Sequence, residues 1–318
     1  MWRLAVALLV LGKLTGNDAA AIRSFLGAYR AAVRQGGAGQ LTYLSPRYRV
    51  FLPYGHIFQK LPVAEPLAAR GRERSEFVVS VYEPESDRAV AAAVWRDGAE
   101  AGMADYTLAR EDGRWRIVTS RDGFLPGAGQ FTEDRLGAEW EPLFDGKSFA
   151  GWETVAGGAV PGAWRIDDGC LVTVAGAGAV SLRTRRAFAA FQLEWEWKVA
   201  AGANSGVKYR LYAVRSGVDA VGMEYQLADD DGDPGARVDP EQRSGALYGV
   251  TAVERSGAHT VGEWNTSRIV VARGHVEHWL NGAKTAEYPV DLPFASPISL
   301  QHHRSEVRFR NLRIRAVR

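Results

Sequence analysis

In Phe191-Gln192-Leu193-Glu194-Trp195-Glu196-Trp197, every second side chain is apolar. A strand turns successive side chains to opposite faces of a sheet, so this period of two predicts a half-buried strand. The alternating runs of this part of the chain, separated by glycine turns, lie at 164–173, 190–199 (which contains this stretch), 206–213, 222–228, 267–272, 275–280 and 306–316. Many short strands, with no convincing helix from Glu139 onward, predict an all-β sandwich of the jelly-roll kind.

The first third of the chain has a different pattern. Asn17 or Asp18 can cap a helix whose apolar residues recur every three or four positions until Gly36-Gly37. Strand-like pieces follow at 47–52, 76–83, 89–96, 103–110 and 114–119. A helix before an antiparallel meander resembles the cone-shaped, α+β NTF2-like fold, over residues 18–122. Some members of that superfamily are enzymes with acid–base residues inside the cone. Here only His56 and scattered carboxylates could take that role, which favours an accessory domain.

The two ends of this first domain carry a leader and a linker. Arg3 precedes an apolar run from Leu4 to Leu11, which resembles a secretory signal peptide over residues 1–17, with cleavage as late as about 21. It predicts a periplasmic or secreted protein; an ordinary first helix in a cytoplasmic protein is the alternative. The run is too short to span a bilayer. Glycine and proline in 123–138 predict a linker, which leaves 139–318 as the sandwich domain.

Composition excludes several classes of protein. Lysine plus arginine number 39 and aspartate plus glutamate 37, so the net charge of +2 argues against a generalised nucleic-acid binder. Hydrophobic residues make up 46%, which argues against a disordered chain. Cys170 is the only cysteine, so neither an intrachain disulfide nor a cysteine-based zinc site can form.

Short motifs in the second domain are more specific than its periodicity. In chain order they are Pro142-Leu143-Phe144-Asp145-Gly146-Lys147, Gly151-Trp152, Asn204-Ser205-Gly206, Gly222-Met223-Glu224-Tyr225-Gln226, Ser244-Gly245-Ala246-Leu247-Tyr248, Gly262-Glu263-Trp264-Asn265, His278-Trp279-Leu280-Asn281-Gly282, Leu300-Gln301 and Phe309-Arg310-Asn311. Their order and spacing resemble the bacterial 3-keto-disaccharide hydrolase family, also called 3-keto-glycoside hydrolase/lyase domains. The resemblance implies a concanavalin-like jelly roll that acts on a small-molecule 3-keto sugar.

The implied chemistry differs from that of an ordinary glycosidase. A ketone at carbon 3 acidifies the proton on carbon 2, so a base can remove it and the group on carbon 1 can leave. Hydration then completes a net hydrolysis. Such a site needs a base, a group that polarises the ketone and a proton donor, rather than two carboxylates beside an oxocarbenium ion. A non-catalytic carbohydrate-binding module on the same sandwich is the alternative.

Glu224 is the first candidate for the site carboxylate. Gln226 lies two residues further along the same predicted strand, so both side chains face one side of the sheet. If that side is the concave one, Glu224 is a base or a metal ligand and Gln226 binds a sugar hydroxyl; a buried structural carboxylate is the alternative. Lys208 and Arg210 could pair with Glu224 or polarise the ketone, or else belong to a solvated face.

The late histidines supply a second candidate. Gln301 is followed by His302, His303 and Arg304. The family pattern places a histidine at position 303 and a glycine at 304, so the resemblance implies proton transfer or metal ligation by His303, with Gln301 and His302 as substrate-binding neighbours. A surface histidine without a role is the alternative. Asn265 is a further substrate-binding candidate, with pinning of a strand start as its alternative.

An acidic run suggests a metal. Asp229, Asp231 and Asp233 match the first three ligand positions of a calcium-binding EF-hand loop, but proline replaces the required glycine and glutamate later on. A solvated loop is therefore the default prediction. Asp229, three residues beyond Gln226, is the member that could border the site and hold a divalent cation, the one cofactor that the sequence suggests.

Overall fold

The computed structural model describes residues 16–35, 38–51, 58–59, 78–85, 88–97, 100–125, 131–215, 217–232, 239–272, 274–290 and 295–317. His56 and residues 1–15 of the predicted leader lie outside the described residues. The chain divides into two compact units, Met1–Phe124 and Leu125–Arg318. None of the described helices is long and apolar enough to cross a membrane.

The N-terminal unit combines one long helix with a sheet. The helix α1 spans Gly16–Gln35 and a 3-10 helix spans Ala38–Tyr43. The strands are β1 Leu44–Phe51, β2 Phe58–Gln59, β3 Val78–Glu85, β4 Arg88–Asp97, β5 Glu100–Glu111 and β6 Arg114–Leu125. They form a six-stranded sheet in the order β2-β1-β6-β5-β4-β3, with β1 and β6 parallel.

The predicted helix is confirmed, and its apolar face packs on this sheet. Ile22, Leu26 and Tyr29 are buried in one cluster with Tyr106 and Ile117. Their spacing of three and four residues places them on one side of the helix, which explains why this side faces the sheet. The unit is therefore α+β, and its NTF2-like assignment stays a prediction.

The C-terminal unit is a sandwich of two sheets. Its strands are β7 Glu141–Pro142, β8 Trp152–Thr154, β9 Trp164–Asp167, β10 Cys170–Thr173, β11 Leu182–Thr184, β12 Phe191–Val199, β13 Asn204–Arg215, β14 Asp219–Ala228, β15 Asn265–Ala272, β16 Gly274–Leu280, β17 Ala283–Val290, β18 Ser299–Leu300 and β19 Val307–Arg315. An eight-stranded sheet has the order β17-β16-β15-β12-β19-β10-β9, with β7 on β19. A five-stranded sheet has the order β14-β13-β18-β11-β8. The predicted β-sandwich is confirmed; the helix described in this unit is one 3-10 turn, Pro240–Gln242.

Two sequence-based boundaries differ from the structure. The run predicted at 164–173 is a hairpin of β9 and β10, because Asp168 and Gly169 adopt left-handed φ angles of 49° and 69° that reverse the chain. The predicted linker is shorter, because β6 continues to Leu125 and because Asp134 N donates to Ala187 O at 2.8 Å within the sandwich unit.

Aromatic side chains fill the space between the two sheets. Trp195 on β12 meets Tyr225 on β14 edge to face, with ring centroids 4.9 Å apart. Tyr209 on β13 donates its hydroxyl to Nε2 of His278 on β16 at 2.7 Å, while Nδ1 of His278 donates to Gly245 O at 3.2 Å. Because a carbonyl can only accept, this tautomer is the one that satisfies both bonds. Burial lowers the pKa of His278 to about 3, so the core holds a neutral imidazole.

Candidate functional site

Polar residues of five strands meet on the outer face of the five-stranded sheet. We call this set the charged row; its members lie opposite one another in register and are Glu224, Lys208, Ser299, Arg183 and Glu153. Residues directly opposite in antiparallel strands point to the same face. Their neighbours Tyr225, Val207 and Leu300 are fully buried, and Tyr225 meets the eight-stranded sheet. The charged row therefore lies on the face that points away from the other sheet.

A second row runs beside the first. Gln226 lies opposite Gly206, and Gln301 N donates to Gly206 O at 2.9 Å, so the ladder continues through residue 301. We call Gln226, Gly206 and Gln301 the amide row. The structure thus brings together four of the residues predicted from the sequence, and all four are buried: Glu224, Gln226, Lys208 and Gln301.

Lys208 anchors one oxygen of Glu224. Its ammonium donates to Asp219 Oδ2 at 2.8 Å and to Ala220 O at 3.0 Å, and it lies 3.5 Å from Glu224 Oε2. Asp219 is held in turn by Ser181, whose hydroxyl donates to Asp219 Oδ1 at 2.9 Å. Because three acceptors surround the ammonium, this geometry favours pairing with Glu224 over contact with a substrate.

The other oxygen of Glu224 lies above Gly206. A Cβ atom at position 206 would come within 2.4 Å of Glu224 Oε1, so only glycine leaves room for the carboxylate in this position. Among the described residues, Glu224 Oε1, Gln226 Oε1 and Ser299 Oγ are buried without a hydrogen-bond partner. A buried polar atom without a partner costs about 1–3 kcal/mol, so three of them on one face are typical of a site for a hydroxyl-rich ligand.

A segment without regular strand structure covers the edge of β14. We call residues 244–250 the edge segment. Gly245 N donates to Gln226 O at 3.0 Å, Gln226 N donates to Ala246 O at 3.1 Å, and Tyr248 N donates to Glu224 O at 3.0 Å. The edge segment is therefore held against β14 beside Glu224 and Gln226 by backbone hydrogen bonds.

Tyr248, like Ser299, is a residue that sequence reasoning missed. It is 9% exposed, and Gln242 Nε2 donates to its hydroxyl at 3.4 Å. Burial and the negative charge of Glu224 raise the pKa of Tyr248 to about 12. The motif Ser244-Gly245-Ala246-Leu247-Tyr248 was visible in the sequence, but it has no period of two that would have assigned it to a sheet edge.

The two adjacent histidines have different surroundings. His302 is buried, its ring lies 5.8 Å from that of Trp164, and its Nδ1 accepts from Arg304 N at 3.0 Å. Burial lowers the pKa of His302. His303, two residues after Gln301, is exposed. Arg304, which stands where the family pattern has glycine, adopts a left-handed φ of 66°.

Two candidates lie apart from the charged row. Arg210 is buried in a bulge of β13 with a left-handed φ of 51°, and burial lowers its pKa to about 10. The ion pair with Glu224 is made by Lys208 instead. Asn265 belongs to β15 in the eight-stranded sheet, where its Oδ1 accepts from His259 N at 2.8 Å and from Asn281 Nδ2 at 2.9 Å. We therefore correct its predicted role from substrate binding to pinning of a strand start.

The acidic loop binds donors of the protein itself. Asp229 Oδ2 accepts from Gly202 N at 2.8 Å, and Asp230 Oδ1 accepts from Ser244 N at 3.0 Å. Within the described part of the chain, histidine, cysteine, aspartate and glutamate form no group of three that could hold a metal ion. Asp233 lies outside the described residues, and metal binding by Asp229 stays a prediction.

Comparison with known proteins places the sandwich among carbohydrate-active domains. A family model described as "3-keto-alpha-glucoside-1,2-lyase-like domain" matches residues 139–315. A 3-keto-disaccharide hydrolase of Bacteroides thetaiotaomicron is 31% identical in an alignment of 224 positions that covers 55% of this chain and 77% of that protein. The crystal structure of a candidate glycosyl hydrolase from Parabacteroides distasonis is 28% identical with a TM-score of 0.50, over 56% of this chain and 94% of that one. The matched family region contains all of the candidate site residues.

Proposed function

The chain belongs to the family of 3-keto-alpha-glucoside-1,2-lyase-like domains, and from this premise we propose that it cleaves 3-keto-glycosides or 3-keto-disaccharides by elimination followed by hydration. The observation that carries the proposal is the setting of Glu224. Lys208 holds one carboxylate oxygen, while the other is buried above Gly206 without a partner among the described residues. An oxygen placed in this way can accept a proton from a bound sugar.

The reaction begins with proton removal. Glu224 Oε1 takes the proton from carbon 2, and the electron pair of that C–H bond forms a double bond to carbon 3, which leaves a negative charge on the former ketone oxygen. When the ketone re-forms, the pair forms a double bond between carbons 1 and 2, and the bond from carbon 1 to the leaving oxygen breaks. Water then adds at carbon 1 and a proton returns to carbon 2, so the sum is hydrolysis.

The neighbouring polar groups suit sugar binding. Gln226 Oε1 can accept from a sugar hydroxyl, and the Ser299 hydroxyl can donate or accept. Both are buried on the same face as Glu224. His303, which is exposed two residues after Gln301, is the proposed donor for the leaving oxygen, since a histidine can transfer a proton near neutral pH.

Incubation with 3-keto-trehalose, with and without a chelator, tests this function. We expect release of glucose and 3-ketoglucose. In D2O, elimination and hydration place deuterium on carbon 2 of the 3-ketoglucose, whereas direct hydrolysis leaves hydrogen there. Glu224→Gln should lower kcat about 10²–10⁴-fold, the usual contribution of a general base. His303→Ala should slow substrates with poor leaving groups most.

Glu254→Gln is the matched control, because Glu254 is exposed and away from the charged row. It should retain the full rate. Binding of the sugar without turnover under every metal condition would instead identify a carbohydrate-binding module. A Glu224→Gln variant that folds and turns over at the normal rate would refute the assignment of the base.

A further inference from the structure

We infer that Tyr248 is a catalytic residue of this site, whose hydroxyl donates a hydrogen bond to the ketone oxygen on carbon 3 and stabilises the enolate. The inference rests on the proposed function and deepens it.

The backbone position follows from the edge segment. Leu247 lies opposite Tyr225 as an antiparallel pair. Hydrogen bonds on both sides of this pair join Gln226 N to Ala246 O and Tyr248 N to Glu224 O, at 3.1 and 3.0 Å. The register therefore places residue 248 opposite residue 224. Side chains that oppose each other across antiparallel strands have Cβ atoms about 4.5–5.5 Å apart.

The surroundings of the ring place the phenol near Glu224. Leu247 is 1% exposed and packs in the apolar core opposite Tyr225. Tyr248 begins a turn, which is closed by the bond from Val250 N to Leu247 O at 2.8 Å. Its side chain is 9% exposed, and the negative charge of Glu224 acts on the phenol. With residue 248 opposite residue 224, the base and the phenol are therefore neighbours.

The reaction needs these two groups to be neighbours. The carbon that loses its proton is bonded directly to the carbonyl carbon, so the base and the donor to the ketone oxygen must lie within a few ångströms of each other. Lys208 already has three acceptors, and its ammonium points to Asp219. The phenol of Tyr248 is 9% exposed, so its hydrogen bond to an oxyanion would be little weakened by water.

The phenol keeps its proton during the reaction. Its pKa is raised to about 12, so it is a neutral donor at physiological pH and does not repel the carboxylate. No proton moves from Tyr248 in this step: the proton from carbon 2 goes to Glu224, and the charge that appears on the oxygen is stabilised by the hydrogen bond. A preorganised donor of this kind contributes about 10²–10³-fold to a rate.

The core fixes the edge segment. Gly245 O accepts from His278 Nδ1 at 3.2 Å and from Thr285 Oγ1 at 2.9 Å. A Cβ atom at position 245 would lie 2.8 Å from Thr285 Oγ1. The edge segment can therefore approach β16 and β17 this closely only if residue 245 is glycine. Gln242 fixes the ring from the other end through its bond to the hydroxyl. Tyr248 is thus held in a fixed position before the charge develops, as an effective hydrogen-bond donor to an oxyanion must be.

Hydrogen exchange on a substrate without a leaving group tests the inference. In the 3-keto form of 1,5-anhydroglucitol, carbon 1 carries two hydrogens and the ring oxygen but no aglycone. The full-length protein can therefore exchange the carbon 2 proton in D2O without releasing an aglycone, and proton NMR follows this exchange. We expect Tyr248→Phe to slow this exchange about 10²–10³-fold. Turnover of 3-keto methyl glucoside and of 3-keto nitrophenyl glucoside should fall by the same factor. Tyr43→Phe, in the N-terminal unit, is the matched control and should change neither rate.

Each alternative outcome has a definite meaning. If Tyr248→Phe exchanges at the normal rate but cleaves the methyl glucoside slowly, the phenol protonates the leaving group and the inference is wrong. If all rates of a folded Tyr248→Phe protein are normal, Tyr248 has no catalytic role. If the unmodified protein neither exchanges nor cleaves, the proposed function itself fails.

A second variant covers the case in which Tyr248→Phe does not fold. Site-specific tetrafluorotyrosine at position 248 keeps the ring and the hydroxyl but lowers the pKa of the phenol, otherwise about 12, into the pH range in which the protein can be assayed. Because the donor must be protonated, the alkaline limb of the exchange rate should move to lower pH in this protein. An unchanged pH profile would overturn the inference.

Discussion

Gly206 lies beneath the carboxylate of Glu224, where the charged row meets the amide row. Its φ is not in the left-handed region, so alanine suits the backbone, but the new Cβ would lie 2.4 Å from Glu224 Oε1 and 2.8 Å from Glu224 Cγ. The buried Glu224 side chain would have to shift from Cγ outward, which disturbs its ion pair with Lys208. A misplacement of about 1 Å costs about a hundredfold in rate, so we expect Gly206→Ala to lower kcat by at least about that factor.

The comparison that isolates this effect is Gly162→Ala in the same unit. A Cβ atom at Gly162 meets no atom within 4 Å, so this variant should keep both its kcat and its melting temperature. Gly206→Ala should still fold, with a lower melting temperature, and should lose activity. Full activity in the folded Gly206→Ala protein would mean that Glu224 does not react from the position above residue 206.

Arg304 is a second residue whose backbone constrains it. A left-handed φ of 66° costs a residue with a Cβ atom about 1–2 kcal/mol. Arg304→Gly and Arg304→Ala both remove the exposed side chain, so their difference reports the backbone alone. We expect the glycine variant to be more stable than the alanine variant by about 1 kcal/mol in urea denaturation, the reverse of the usual order. Equal stabilities would show that residue 304 relaxes out of this conformation.

At the scale of elements, β16 supports the edge segment through His278. The unfolded chain takes up a proton on this histidine near pH 6.5, whereas the native core keeps it neutral down to about pH 3. Its contribution to stability is therefore complete above pH 6.5 and is lost as the pH falls toward 3. At pH 5, relative to pH 7.5, we expect His278 alone to lower the free energy of unfolding by about 2 kcal/mol.

Urea denaturation of the protein and of His278→Gln at both pH values measures this contribution. Glutamine can donate to Gly245 O and accept from Tyr209 but does not titrate, so its loss of stability on acidification should be smaller by about 2 kcal/mol. His275→Gln, on the same strand but partly exposed and beside Glu277, is the matched control. If His278→Gln and the unmodified protein lose the same stability, His278 is protonated in the native state and the proposed tautomer is wrong.

The elements also show how far sequence could predict this site. The period of two found β12, β13, β14 and β19, and it placed Glu224 and Gln226 on one face, because alternation is a local property of the chain. Five strands of the C-terminal unit were missed; four of them, β7, β8, β11 and β18, have only two or three residues, too few to show a period. The association of Ser299 with Glu224, and of Tyr248 with Glu224, depends on register between segments that are distant in sequence.

At the scale of the whole chain, the candidate residues all belong to the C-terminal unit, which has its own core and two sheets. Phe131 already belongs to this unit, since its ring lies 5.5 Å from the Arg183 guanidinium. We therefore expect a fragment of residues 131–318 to fold and to cleave 3-keto-trehalose with a kcat within about threefold of that of the full chain. Activity and denaturation of the two proteins, measured side by side, test this independence.

The same fragment decides what the N-terminal unit does. An accessory that extends the cleft or mediates association would change KM or the oligomeric state and leave kcat almost unchanged, because none of its described residues belongs to the charged row or the amide row. Light scattering and substrate titration of both proteins distinguish these two roles. A fragment that is folded but inactive, with activity restored only in the full chain, would show that the N-terminal unit supplies a catalytic group, as the acid–base residues inside the cone do in some NTF2-like enzymes.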